Sequence, residues 1–189
     1  MAELKIEELS KEQLENIYRT YMQKDFPADE LKPLPMLLKA MDDGHYDALG
    51  LMEEGEIRGY ALFHRLHKDY LFDYLAVVDG NRNSGTGSIF LKMIQEHYKD
   101  ADSIFGEVED PDFAKTEEER KLQERRIGFY QRNGYIDTGV KVQLYGVNYR
   151  LIELDMGKNH TPQHMKQLYK KMYQSVFSIW KYWKYIKIK

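Results

Sequence analysis

The sequence predicts a mixed α/β layer structure. Segments in which apolar and polar side chains alternate are interleaved with segments whose apolar residues recur at helical spacing. Two glycines, Gly85 and Gly87, stand at a strand-to-helix corner within "NRNSGTGS", residues 81–88. Around that corner runs the order strand, glycine corner, helix, strand, helix, hairpin, with no internal repeat and no low-complexity stretch.

The elements follow in order. "LKIEEL", Leu4 to Leu9, alternates and reads as a short strand, and Ser10 followed by Glu12 and Gln13 marks a helix start. Leu14, Ile17, Tyr18 and Tyr21 form its apolar stripe; Pro27, Pro33 and Pro35 interrupt it, and "MLLKAMDDG" predicts a second short helix ending near Gly44. Tyr46 to Asp79 reads as three strands, with turns at Glu53 to Glu56 and around Lys68 and Asp69. After the glycines, Ile89, Phe90, Met93, Ile94 and Tyr98 are spaced as a helix, and "SIFGEVED" returns to strand. Lys121 to Asn133 predicts a helix closed by Gly134, with the acidic run Glu117 to Glu119 matching the helix dipole at its opening. "YIDTGVKVQLYGVNYRLIEL" predicts a long hairpin turning at Asp137 to Lys141.

The chain has 189 residues, 42% hydrophobic and 13% aromatic, enough for one substantial core and the usual size of one domain. A net charge of -3 gives no global reason to expect nucleic acid or a membrane as partner. The absence of cysteine excludes disulfides and thiolate zinc sites. "MAELKIEELSKEQ" has no signal-peptide core, and no apolar run reaches membrane-spanning length, so a soluble cytoplasmic protein is expected.

Gly85 and Gly87 remove side chains where the backbone turns, and the first amides of the following helix lack intrahelical acceptors. A phosphate or pyrophosphate fits such a corner, with Arg82 and the hydroxyls of Ser84, Thr86 and Ser88 close by; a tight turn with an N-cap is the alternative. Two familiar phosphate loops fail. The nucleoside-triphosphate loop needs Lys and Ser or Thr after its second glycine, where this chain has Ser88 and Ile89. The dinucleotide fingerprint needs a third glycine, where Phe90 stands.

What survives is Arg82-x-x-Gly85-x-Gly87, preceded by Leu75, Ala76 and Val77. It resembles the [QR]-x-x-G-x-[GA] signature of the GCN5-related N-acetyltransferases (GNAT), and "RRIGFYQRNGYIDTG" resembles the later helix-and-strand motif of that family. The resemblance covers Leu4 to Leu154 and implies a central mixed, mostly antiparallel twisted sheet flanked by helices. It also implies a domain over residues 1–154, with 155–189 as a C-terminal helical extension. Asp79, Arg126 and Gln123 depart from residues common in the family at those places.

The resemblance implies acetyl-CoA as co-substrate, lying across a split between neighbouring parallel strands. Leu75, Ala76 and Val77 would line the pantetheine, and the stretch Arg82, Asn83, Ser84, Gly85, Thr86, Gly87 and Ser88 would hold the diphosphate. Gln123, Arg126 and Tyr130 would contribute from the later helix. A strand amide near Val77 would face the thioester oxygen. Tyr130 matches the motif tyrosine and is the candidate acid for the departing sulfur, since a phenol stays protonated at neutral pH; packing beside Phe129 is the alternative. Glu107 and Glu109, two apart on a strand and on one face, are the candidate bases, with Asp73 a weaker one. The implied activity is acetyl transfer to an amine of a small molecule or a protein. The rival reading is a non-catalytic module that kept the fold and coenzyme A binding.

His160 and His164 are four apart but have no third ligand nearby, and no metal is predicted. In the tail, Met165, Leu168, Met172, Ser175, Ile179 and Trp183 form one helical stripe and Tyr169, Tyr173, Phe177 and Trp180 a second. Two stripes favour packing over the substrate side of the domain or against a second copy, as a homodimer, rather than a membrane or nucleic-acid surface. The final "KYIKIK" alternates as a short strand.

Overall fold

The computed structural model describes residues 3–28, 30–78, 80, 85–158, 160–176 and 186–188. Contacts divide the chain into two compact units, Met1–Arg65 with Phe72–Asp100, and Leu66–Leu71 with Ala101–Lys189.

In the first unit the strands are β1 (Leu4–Glu8), β2 (Tyr46–Glu53), β3 (Glu56–Leu66) and β4 (Asp69–Val77), in that spatial order. The β1–β2 and β2–β3 pairings are antiparallel. Helix α1 (Lys11–Ile17) starts at a capping box: the Gln13 amide donates to Ser10 Oγ and the Ser10 amide donates to Gln13 Oε1. It runs through a wider π turn (Tyr18–Met22) into the short α2 (Gln23–Asp25), and α3 (Leu34–Asp42) follows Pro33 and carries Pro35 in its first turn. Leu14, Ile17, Met22 and Leu37 of these helices pack with Tyr46, Ala48, Tyr60, Leu62 and Tyr74 of the strands. Ala61 and Phe63, pointing oppositely along β3, are equally buried. Burial on both faces explains why "YALFH" is a continuous apolar run rather than an alternation.

Helix α4 (Thr86–His97) serves that second face, with the Phe63 and Tyr98 rings 5.1 Å apart. Its buried positions are Phe90, Leu91 and Ile94, whereas Ile89, expected in the stripe, is 44% exposed. Leu91, beside Phe90 and three residues before Ile94, takes its place on the buried face. Gly59 of β3 is a place of close approach: a Cβ there would lie 3.0 Å from the Ala76 carbonyl oxygen of the neighbouring strand and 3.2 Å from the Phe90 ring of α4.

In the second unit the strands are β5 (Ser103–Glu109), β6 (Tyr135–Leu144), β7 (Val147–Leu154) and β8 (Ile186–Ile188), in the spatial order β5-β7-β6-β8, all paired antiparallel. The hairpin turn expected at Asp137 to Lys141 is instead a bulge inside β6, where the register against β7 shifts. Asp137 Oδ1 accepts from the Gly139 amide at 2.8 Å and Thr138 Oγ1 donates to the Leu151 carbonyl at 2.9 Å, so the local turn chemistry bends the strand without reversing it. The reversal comes at Tyr145 and Gly146, both with positive φ.

Helix α5 (Glu117–Arg132) starts four residues earlier than Lys121, because Thr116 caps the Glu119 amide and the acidic run forms the first turn. Helix α6 (Pro162–Val176) buries Met165, Leu168, Tyr169, Met172 and Tyr173 against Phe105, Val140, Val142, Leu151 and Ile186. Strand β8 adds the end of the tail to β6; Phe177, Ile179, Trp180 and Trp183 lie outside the described residues. No helix among the described residues is long and apolar enough to cross a membrane.

The close approach at Gly59 yields a test. Gly59→Ala forces a methyl against a backbone oxygen and a buried ring, and overpacking of this kind costs about 1–3 kcal/mol. Urea denaturation should show that loss; a variant as stable as the parent would mean the layers can separate there freely.

Candidate functional site

The first unit contributes the glycine corner. Gly85 has φ 84°, a left-handed conformation that side chains resist, and it is the N-cap of α4 without any side-chain cap. Its carbonyl accepts from the Ser88 and Ile89 amides at 3.0 and 3.2 Å, closing the first turn. A Cβ built on Gly85 would meet nothing within 4 Å among the described residues. Two features therefore coincide: a positive helix end and main-chain N–H groups of the first turn. Arg82, Asn83, Ser84 and Asp79 fall outside the described residues. Leu75, Ala76 and Val77 are half-buried at the end of β4. The Val78 amide just beyond donates to the Arg58 carbonyl at 2.9 Å. Because successive amides of an extended chain point to opposite edges, that of Val77 is directed away from β3.

The second unit contributes α5. Tyr130 is buried, its ring 5.4 Å from those of Phe129 and Tyr135 in edge contacts. Burial pushes its hydroxyl up to about 12, against a lowering by the Arg126 charge, so the phenol holds its proton through the whole physiological range. Gln123, two turns earlier, is buried, and its side-chain oxygen lacks a hydrogen-bond partner among the described residues. An orphaned buried acceptor is uncommon and marks a position that a donor from a bound molecule could complete.

The strand carboxylates are treated differently from one another. Glu109 Oε2 accepts from Arg126 Nη1 at 2.8 Å, so the expected base and the expected cofactor residue form an ion pair. Glu107 Oε1 accepts from the hydroxyls of Tyr169 and Tyr173, the latter at 2.9 Å. Neither tyrosine was predicted to reach the strand carboxylates. The signal was present, since a tyrosine inside a buried stripe needs a partner for its hydroxyl. Asp110 ends β5 with its side chain fully buried between Arg150 Nε at 2.7 Å and Lys141 Nζ at 2.8 Å. Burial alone would raise its carboxyl, but the Lys141 and Arg150 hydrogen bonds outweigh that and hold it below the usual range.

Asp73, the weaker base candidate, accepts from both Lys32 Nζ and Tyr46 Oη. Tyr74 Oη donates to the Glu30 carbonyl and accepts from the Lys32 amide, each at 2.9 Å, so this group ties the segment between Pro27 and Pro33 to β4. His64, stacked on Tyr46 with ring centroids 6.3 Å apart, is driven down to about 4 by burial and stays neutral. His160 and His164 stack at 4.4 Å, and His160 Nδ1 lies 2.5 Å from Glu153 Oε1.

Solved structures match this chain over most of its length. A GNAT-family protein of Bacteroides thetaiotaomicron, named as a candidate acetyltransferase, superposes with a TM-score of 0.68 at 18% identity, covering 93% of this chain and 97% of its own. The chain has the GCN5-related N-acetyltransferase fold. Ribosomal-protein-S18-alanine N-acetyltransferase from Escherichia coli shares this GNAT fold with a TM-score of 0.58 at 15% identity, over 80% of this chain and 93% of its own. An aminoglycoside 6'-N-acetyltransferase solved with coenzyme A gives 0.55 at 15% identity, over 79% and 95%. No protein-family model and no curated protein matches the sequence.

In this GNAT fold the lowered Asp110 carboxyl makes part of the stability pH-dependent. A depressed folded value stabilises the protein above the unfolded value, about 3.9, and that contribution disappears as pH falls through the folded value. Asp110→Asn should therefore be less stable than the parent at pH 7, and its stability should fall less steeply below about pH 5. Parallel denaturation curves for the two proteins from pH 7 to pH 3 would contradict the assignment.

Proposed function

We propose that this chain is an acetyl-CoA-dependent N-acetyltransferase that acts on an amine of a small molecule or a protein. The observation that carries the reading is Gly85: a left-handed residue opening a helix, with no side-chain cap among the described residues. Such a corner presents main-chain donors and the positive helix end, which suit a diphosphate. The orphaned Gln123 oxygen, on the α5 side, suits an amide donor such as a pantetheine N–H. The acetyltransferase relatives, one of them solved with coenzyme A, support the same reading.

When bound, acetyl-CoA supplies an electrophilic thioester carbonyl and a sulfur leaving group. The Val77 amide, directed away from β3, would donate to the carbonyl oxygen as negative charge builds on it. Glu107 would take the proton that the amine loses on attack, because an amine is nucleophilic only when neutral. Tyr130 would donate to the departing sulfur. A thiol has a reference value of about 8.5, so a phenol near 12 does not hand its proton over completely. Its contribution is a hydrogen bond that strengthens as the thiolate forms.

Removing a hydrogen bond to a charged group costs about 1.5–3 kcal/mol, so Tyr130→Phe should lower kcat roughly 10- to 100-fold with little change in acetyl-CoA affinity. An unchanged kcat removes this role.

The function itself is tested by thermal stabilisation with acetyl-CoA, followed by thiol release with n-butylamine, spermidine, kanamycin and a peptide with a free N-terminal alanine. Stabilisation with amine-dependent thiol release is the expected result. Stabilisation without it, across the panel, favours a coenzyme A-binding module without catalysis, and no stabilisation at all defeats the reading of the corner.

A further inference from the structure

Helix α6 belongs to the C-terminal extension, yet it reaches a side chain of the proposed chemistry. Tyr169 and Tyr173 are one helical turn apart, both are buried, and their rings lie 4.7 Å from each other. Their hydroxyls converge on the same oxygen, Oε1 of Glu107. The apolar stripe of Met165, Leu168 and Met172 fixes the helix on the sheet, so the two hydroxyls arrive from a rigid frame.

We infer that Tyr169 and Tyr173 are positioning residues for acetyl transfer: two buried phenols from the C-terminal helix orient the Glu107 carboxylate and set how readily it accepts the proton of the acceptor amine. This rests on the reading of Glu107 as the group that takes that proton.

Two physical effects follow from the geometry. Sharing one oxygen between two fixed donors holds the plane of the carboxylate, which a single bond to a flexible side chain does not. Donors to the charged form also favour that form, which lowers the pH at which the carboxylate becomes available as a base. The phenols can play this part because they stay neutral: burial, and then the Glu107 charge, hold the Tyr169 hydroxyl well above its ordinary value. The other titratable groups on the same side are Tyr149 of β7, next to Tyr169, and Glu109 on the same strand, already paired with Arg126. Neither is altered by substitutions on α6.

The test combines a titration with kinetics on the full chain. Carbon-detected NMR of the Glu107 carboxyl follows its titration in the parent, Tyr169→Phe and Tyr173→Phe. Each lost donor should raise the midpoint by roughly 0.5–1 pH unit. The acid limb of kcat/KM, measured with acetyl-CoA and the panel amine of highest turnover, should move to higher pH by the same amount. KM for acetyl-CoA should stay unchanged. A purely structural role would lower the melting temperature and leave both the midpoint and the limb where they are, which overturns the inference. Should Tyr169→Phe fail to fold, Tyr173→Phe with its longer bond carries the same comparison. Glu107→Gln separates the two levels of the argument. If it is inactive while the phenol variants leave the limb in place, the positioning role is wrong and the proton-accepting role stands; if it turns over normally, both are wrong.

Discussion

Gly85 is the constraint on which the functional half of the first unit depends. A left-handed residue at that point opens α4 with no side chain of its own beside the first amides. The rest of the unit keeps the two elements together. Gly59 allows β3 to approach Ala76 and the Phe90 ring, and the Phe63–Tyr98 contact holds the far end of the helix. The first-turn amides of α4 are main-chain groups, so their positions are set by the packing behind the helix.

The second unit applies the same economy to its carboxylates, but each receives a different partner. Asp110 is surrounded by Lys141 and Arg150, and Glu109 faces Arg126. The Lys141 and Arg150 hydrogen bonds hold Asp110 in its charged form, and the two ion pairs fix the end of β5 and the face of α5. Glu153 accepts from Ser103 at 2.5 Å and meets His160. Glu107 differs in being held by two neutral phenols, which orient it without placing a positive charge beside it. Partner chemistry, more than exposure, distinguishes the carboxylates of this strand from one another.

Much of this was legible in the sequence, and the misses share a cause. The capping box at Ser10, the three strands from Tyr46, the glycine corner and the last strand were all encoded in local chemistry: short polar caps, alternation, and glycine where φ must be positive. The bulge at Asp137 to Lys141 was misread as a reversal, because Asp-Thr-Gly carries the same side-chain-to-backbone bonds in either setting and only pairing with β7 decides between them. Glu107 and Glu109 looked equivalent by period, since alternation specifies a face but not a partner. Asp73 looked open because Lys32 is 41 residues away along the chain. Tyr130 was legible by motif, whereas its raised hydroxyl is a product of tertiary burial.

The tyrosines of α6 show why the partner matters as much as the stripe. Phenylalanine at both positions would preserve nearly all of the apolar area that seats the helix, so burial alone does not require hydroxyls there. What requires them is the half-buried carboxylate opposite, which would otherwise give up hydration without compensation. The two requirements are reciprocal: the phenols need an acceptor once the helix is seated, and the carboxylate needs donors once the helix covers its strand. A helix that seats itself by its methionines and leucine, and spends its two tyrosines on one acid, couples the docking of the C-terminal segment to the state of a single strand carboxylate.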